Sequence, residues 1–218
     1  MNAPISSPSS NADSPLAPDC HGLNFFDIDS SLQDLLPLYL ADDLRNHLTP
    51  HYRRLGDVAG GRLDALARVA DRHGPVLQPR DRFGRDEEWV DYHPAYRAME
   101  QIGYGDFGIH AMSRRAGVLD WPEPVPAPAK YVFQYLFTQA EFGLMCPISL
   151  TDTSAMLIQR YGDDAVRERF LPRMLSQDLA TMFKGAQFMS EKAGGSDVGA
   201  LELEARKDGG QWRLYGDK

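Results

Sequence analysis

The sequence predicts a mainly α-helical domain followed by the start of an antiparallel β domain. Two observations carry this expectation. Apolar residues recur at helical spacing in successive runs from Leu32 to Phe170, and beyond Ala180 the pattern changes to strand-length alternation. Helices first and strands afterwards imply segregated domains, not an alternating α/β sheet. The expected division is a disordered Ser/Pro-rich tail over 1–22, a helical domain over 23–180 and an incomplete β domain over 181–218.

The tail is dominated by Ser, Pro, Ala and Asn, with little apolar surface to offset the entropy of ordering it. Leu32, Leu35, Leu36, Tyr39, Leu40 and Leu44 predict one helix from Leu32 to Leu48. A second runs from Arg62 to His73, with Gly74-Pro75 as its stop. Val76 to Tyr92 reads as a loop or small hairpin turning at Phe83-Gly84-Arg85. Pro94 suits the first turn of a helix reaching Met99, where its missing N–H leaves nothing unpaired.

Ala129 to Cys146 carries apolar residues on every side, which predicts a central helix of the bundle broken by Pro147. A helix through Ala155 and Ile158 closes at Gly162, and Asp163 is placed to cap the next, from Ala165 to Phe170. Thr181 to Phe188 reads as a short strand. Leu201, Leu203 and Ala205 alternate with charged residues, Asp208-Gly209-Gly210 turns, and Gln211 to Tyr215 alternates again, which predicts a half-buried hairpin. An isolated hairpin is marginal in water, so the β domain is expected to be incomplete.

Bulk properties narrow the function. With 43% hydrophobic and 25% charged residues the composition is that of a folded globular protein. No run approaches the roughly 20 apolar residues of a membrane span, and the amino end lacks the basic region of a secretory signal, so a cytoplasmic address is the default expectation. Two cysteines, Cys20 and Cys146, supply neither a disulfide framework nor a zinc site. A net charge of −8 opposes nucleic-acid binding through phosphates.

Several motifs have plain explanations. Gly103-Tyr104-Gly105-Asp106-Phe107-Gly108 matches a dinucleotide fingerprint by letter, but a helix-like segment precedes it where a strand is required, so an interhelical turn is expected. His47 and His51 have metal-ligand spacing without a third ligand and are read as surface residues. Cys146 has no neighbouring base or cation and is read as a core residue.

The informative stretch is Gln187-Phe188-Met189-Ser190-Glu191-Lys192-Ala193-Gly194-Gly195-Ser196-Asp197-Val198. A strand ends near Met189, and the paired glycines open backbone conformations closed to other residues. Free N–H groups with the Ser190 and Ser196 hydroxyls suit a polar, anionic or heteroaromatic ligand. From the residues alone, a loop in which Ser and Asp only cap turns explains the stretch equally well.

This stretch resembles the flavin-binding signature of acyl-CoA dehydrogenases, a Ser or Thr and Glu followed by a small-Gly-Ser-Asp run. Its Glu-Lys and double glycine are similar to the alkylation-response, AidB-like branch. Cys146-Pro147-Ile148-Ser149-Leu150-Thr151, Phe170-Leu171-Pro172, Trp89-Val90-Asp91-Tyr92-His93-Pro94 and Trp212 to Lys218 resemble the family in its own order.

The resemblance implies a helical N-terminal acyl-CoA dehydrogenase-like domain, a β domain holding the flavin edge, and a C-terminal helical bundle. It implies FAD as cofactor, an acyl-CoA or related thioester as substrate, a homotetramer, and proton removal α to the thioester carbonyl with hydride leaving the β carbon. The residues implied for cofactor binding are Gln187, Phe188, Met189, Ser190, Glu191, Gly194, Gly195 and Ser196. Ser190 would bond the isoalloxazine, and Ser196 the ribityl or pyrophosphate region. The catalytic base is expected beyond Lys218, and Glu191 is read as an anchor for the turn. In the AidB-like branch, DNA contacts belong to the C-terminal part, which makes a DNA-associated alkylation-damage role the alternative. A helical interaction module without chemistry is a third possibility.

Overall fold

The computed structural model describes residues 17–218. Most of the expected tail, 1–16, lies outside the described residues. Residues 20–22 do not behave as tail: the Gly22 amide donates to the Gly60 carbonyl at 2.7 Å, and the His21 ring meets Asp64 at 2.8 Å.

The first helical stretch is two helices, α1 (Ser30–Tyr39) and α2 (Asp42–Val58). Asp29 caps α1 by accepting from the Leu32 amide at 2.8 Å. Leu40 then takes an extended backbone, and Asp42 and Asp43 favour a new helix start through the macrodipole. The expectation of one helix from Leu32 to Leu48 therefore fails at Leu40–Ala41. On α2, Leu44, Leu48, Tyr52 and Leu55 fall on one buried face.

A π-helical turn, Ala59–Leu63, joins α2 to α3 (Asp64–Asp71). The chain before α1 crosses this π-helical turn so closely that a Cβ on Gly60 would lie 1.8 Å from the Leu23 carbonyl oxygen. The small hairpin forms, as β1 (Val76–Arg80) and β2 (Asp86–Asp91), antiparallel with an irregularity between Gln78 and Arg80. Pro94 opens α4 (Pro94–Glu100), capped by the His93 ring.

The GxGxxG letters are not a turn between helices. They lie largely in a π-helical extension of α4, Gln101–Asp106, where a Cβ on Gly103 would stand 2.5 Å from Ile148 Cδ1. A helix leads into these glycines, so no Rossmann loop forms.

The expected long central helix is interrupted. α5 (Ala127–Thr138) ends before a turn in which Glu141 accepts from the Leu144 amide, and α6 (Met145–Tyr161) begins beyond it. Pro147 lies in the first turn of α6, where its missing N–H is harmless, and so does not break a helix. Cys146 is exposed rather than packed in the core, because the first turn of α6 presents it outward. Nor is α5 apolar to the core on all sides. Phe133, Leu136 and Phe137 are buried, whereas Tyr131 and Tyr135 line an apolar cavity of about 470 Å³ against α1. Asp163 caps α7 (Asp164–Met174) at 2.8 Å, as its position suggested.

The core joins α2, α4, α5 and α6. Tyr52 sits at its centre, 4.6 Å from the Phe133 ring centroid, with its hydroxyl donating to the Ala129 carbonyl. Two ion clusters are built into it: Asp152 is met by Lys130 at 2.5 Å and Arg114 at 2.7 Å, and Glu100 by Arg97 and Lys184.

The late hairpin forms as β3 (Glu204–Asp208) and β4 (Gln211–Tyr215), turning at Gly209-Gly210. Its expected half-burial is absent: Trp212 and Leu214 are 70% and 71% exposed, because no second layer covers that face among the described residues. Thr181 to Phe188 is likewise not a strand, since no neighbouring strand pairs with it among the described residues.

Candidate functional site

After α7 the chain runs back across the helical domain and is held at three successive residues. The Phe183 amide donates to the Arg173 carbonyl at 3.1 Å, Lys184 pairs with Glu100, and the Gly185 amide donates to Thr151 Oγ1 at 3.1 Å. A Cβ on Gly185 would come 2.3 Å from Ser154 Oγ, so glycine permits this close approach to α6.

Beyond Gly185 the main chain is released. Among the described residues no backbone N–H from Ala186 to Ser190 has a protein acceptor, and the segment is exposed. Phe188 and Met189 also expose their side chains, at 73% and 48%. A row of unpaired amides with apolar side chains between them is chemically suited to the edge and face of a planar heteroaromatic ligand.

The loop that follows is closed on itself. Glu191 and Gly194 exchange both backbone hydrogen bonds at 3.0 Å, and Gly194 takes a φ of 132°, a region that favours glycine. A Cβ on Gly195 would stand 2.9 Å from Ser190 Oγ, so the second glycine brings the two serine-bearing stretches together. Ser190 and Ser196 are both exposed.

Glu191 is an anchor, the role its place in the motif suggested. Its carboxylate accepts from Lys218 Nζ at 2.7 Å and from the amides of Glu202 and Leu203 at 2.7 and 3.4 Å. The Lys218 bond, followed by the Glu202 amide, holds this carboxyl below its ordinary range. Lys218 also donates to the Met189 carbonyl at 3.4 Å, which ties the end of β4 to the start of the loop.

The structure therefore brings Gln187, Phe188, Met189, Ser190, Glu191, Gly194, Gly195 and Ser196 into one stretch with a fixed turn, exposed except at Glu191 and Gly195. Sequence reasoning missed the anchors behind it. Thr151 carried a signal, since it closes the Cys146–Thr151 motif, but nothing local links Glu100 to Lys184, 84 residues away.

The other candidates are not assembled into a site among the described residues. His47 and His51 are half-buried rather than surface residues, with tilted rings 5.5 Å apart between centroids; His47 bonds the Leu119 carbonyl, and no cluster of three potential metal ligands occurs among the described residues. His110 is fully buried, and that burial pushes its pKa down to about 4. No helix among the described residues is long and apolar enough to cross a membrane.

Residues 16–179 match the family model described as the adaptive response protein AidB N-terminal domain. The chain is 24% identical over 200 residues to acyl-CoA dehydrogenase family member 11 of Caenorhabditis elegans, covering 88% of this chain and 30% of that protein. It is 27% identical over 168 residues to the putative acyl-CoA dehydrogenase AidB of Escherichia coli K12, covering 70% and 29%. Among solved structures, the apo form of Bd2924 superposes with a TM-score of 0.75 at 27% identity, covering 88% of this chain and 39% of that one. The Caenorhabditis elegans ACDH-11 complex with C11-CoA gives 0.74 at 22% identity, covering 97% and 36%. The chain thus spans about a third of the length of the relatives it matches.

Proposed function

From the premise that this chain belongs to the AidB N-terminal domain family, we propose that it contributes the helical domain and the first part of the flavin-binding β domain of an FAD-dependent acyl-CoA dehydrogenase-type oxidoreductase. The domain boundary falls near residue 180, a few residues after the last α-helix ends at Met174. The observation that carries the cofactor reading is the run of partnerless amides from Ala186 to Ser190, delivered by Gly185 and followed by a closed, glycine-dependent turn.

These residues fit a flavin. Main chain from Gln187 to Ser190 would lie along the ring system with the Ser190 hydroxyl as a further bond, and Ser196 would serve the more distal polar part. Phe188 and Met189 supply apolar surface, while Glu191, Gly194 and Gly195 hold the turn. When bound, FAD supplies the two-electron redox chemistry, and the protein's part is to hold and orient it. An acyl-CoA thioester is the proposed substrate class, supported by the C11-CoA bound to the nematode protein of similar fold. The acidic balance of this chain speaks against DNA binding through these residues.

The chain spans about a third of the length of these relatives, and a partial cofactor site binds weakly. The 218-residue chain is expected to purify colourless, without stoichiometric FAD and without acyl-CoA oxidation; a yellow, active preparation would contradict the proposal. In fluorescence titrations with added FAD, Ser190→Ala is expected to weaken binding by about 2- to 12-fold, the worth of one net hydrogen bond of roughly 0.5–1.5 kcal/mol. Unchanged affinity in both Ser190→Ala and Ser196→Ala would remove the loop from the site.

A further inference from the structure

The residues that position the candidate loop lie outside it. Glu100 ends α4 with its side chain only 4% exposed, and its two oxygens take different cations: Oε2 receives Arg97 Nη1 at 2.8 Å, and Oε1 receives Lys184. Arg97 is held independently, 4.6 Å over the Tyr92 ring. Lys184 comes from the distant segment that feeds the loop, and its ammonium lies 5.5 Å from the Tyr104 ring centroid.

Stability alone is a weak reason for such an arrangement. Burying a carboxylate costs several kcal/mol before pairing, and a well-packed apolar residue commonly does as well or better. A buried ion pair does supply geometric selectivity, because its partner fits at one place only. Here the partner is three residues before Gln187.

The neighbouring anchors act at the same point. Phe183 and Gly185 are bonded on either side of Lys184, whereas the amides from Ala186 to Ser190 are free among the described residues. At about 3.3 Å of rise per extended residue, Ser190 stands on the order of 20 Å of chain from Lys184. Between them only the 3.4 Å bond from the flexible Lys218 side chain to the Met189 carbonyl touches the main chain, and no amide is held in register. A slip of one residue would also turn alternate amides and side chains to the opposite side.

We propose that the Glu100–Lys184 pair is a register clamp: it fixes where the Ala186–Ser190 amides are presented, and both residues are positioning residues for the ligand that these amides bind. The proposal rests on the flavin reading for the identity of the ligand but not for the existence of the clamp. Lys184→Met is the informative variant, because Glu100 keeps Arg97 and the helical core keeps its packing. Lys184→Arg is the conservative control, since it restores a cation at the same place.

Two readouts on the 218-residue chain separate the two ideas. Exchange of the bonded Phe183 and Gly185 amides should accelerate at least tenfold in Lys184→Met, stay at the parental rate in α2 and α5, and return toward it in Lys184→Arg. Added FAD should bind about tenfold more weakly to Lys184→Met, since only a fraction of the loop population then holds the competent register, with recovery in Lys184→Arg. Faster exchange without any loop-dependent FAD binding in the parent would leave the clamp standing and overturn the flavin reading. Parental exchange at Phe183 and Gly185 in Lys184→Met would overturn the clamp, and so would equal losses of FAD affinity in Lys184→Met and Lys184→Arg.

Discussion

Replacing Gly185 by alanine attacks the close approach of the loop-feeding segment to α6. The new Cβ would stand 2.3 Å from Ser154 Oγ, 2.6 Å from Ser154 Cβ and 2.8 Å from the Leu150 carbonyl oxygen. The Ser154 hydroxyl can rotate away, but its Cβ and the Leu150 carbonyl are fixed to the helix. The segment must therefore lift by several tenths of an ångström, which lengthens the 3.1 Å bond from the Gly185 amide to Thr151 Oγ1. Overpacking of this kind costs about 1–3 kcal/mol where nothing yields, and the hydrogen bond adds roughly 0.5–1.5 kcal/mol. No amide from 186 to 190 is bonded among the described residues and the one carbonyl contact there, from Lys218 to Met189, is 3.4 Å long, so detachment relieves the strain and caps the global cost. At about 2–4 °C per kcal/mol for a chain of this size, the melting temperature should fall by only a few degrees. Local exchange of the bonded amides at residues 183 and 185 should rise at least tenfold, about 1.4 kcal/mol of lost protection. Adding Ser154→Gly removes the two nearest clashes and should restore part of the protection. Parental exchange rates at residues 183 and 185 in Gly185→Ala would refute the reasoning, as would loss of the helical core with the segment still protected.

Three further outcomes follow from buried or bonded charge. His110 titrates near 4 when folded and near 6.5 when unfolded, so the unfolded chain binds the extra proton between those values. Stability is therefore full above pH 6.5 and falls by about 3 kcal/mol as the pH drops to 4; urea titrations should show that slope shrink in His110→Asn. Lys130→Met leaves the buried Asp152 with Arg114 alone. Breaking a buried pair outright costs roughly 3–5 kcal/mol, so the surviving Arg114 bond should hold the loss to about 1–3 kcal/mol, and Asp152→Leu in the same chain should recover much of it. Glu191 has a depressed carboxyl, so its grip on the loop is complete above its ordinary value of 4.5 and is lost as the pH falls through the lower folded one. Exchange at Glu202 and Leu203 should report that loss, and Glu191→Gln should abolish the pH dependence.

What the sequence disclosed and concealed follows from the range of each interaction. Asp163 as a cap, Pro94 in a first turn and the Gly209-Gly210 hairpin are decided within four residues, and all appear where local chemistry predicts them. Pro147 misled because proline is compatible with a helix start as well as a stop, and the choice depends on the Glu141 side chain capping the turn before it. Cys146 misled for a related reason: its apolar neighbours suggested burial, while the helix start behind it turns the thiol outward. Leu40 belongs to an uninterrupted apolar period, and nothing nearby announces its extended backbone. Thr181 to Phe188 has strand composition, but a strand requires a neighbour and none pairs with it among the described residues. For the candidate site, the glycines, serines and Glu191 were readable because the turn is local. The Glu100–Lys184 pair and the Gly185–Thr151 bond were not, because each joins residues far apart in the chain.

The most direct test of the flavin account is an amide-resolved NMR titration of this chain with FAD, which detects weak binding without an intact cofactor site. The account predicts that the largest shifts fall on Gln187 to Ser196 and diminish in Ser190→Ala. Perturbations confined to other surfaces, such as the apolar cavity between α1 and α5, with Gln187 to Ser196 unmoved, would contradict it.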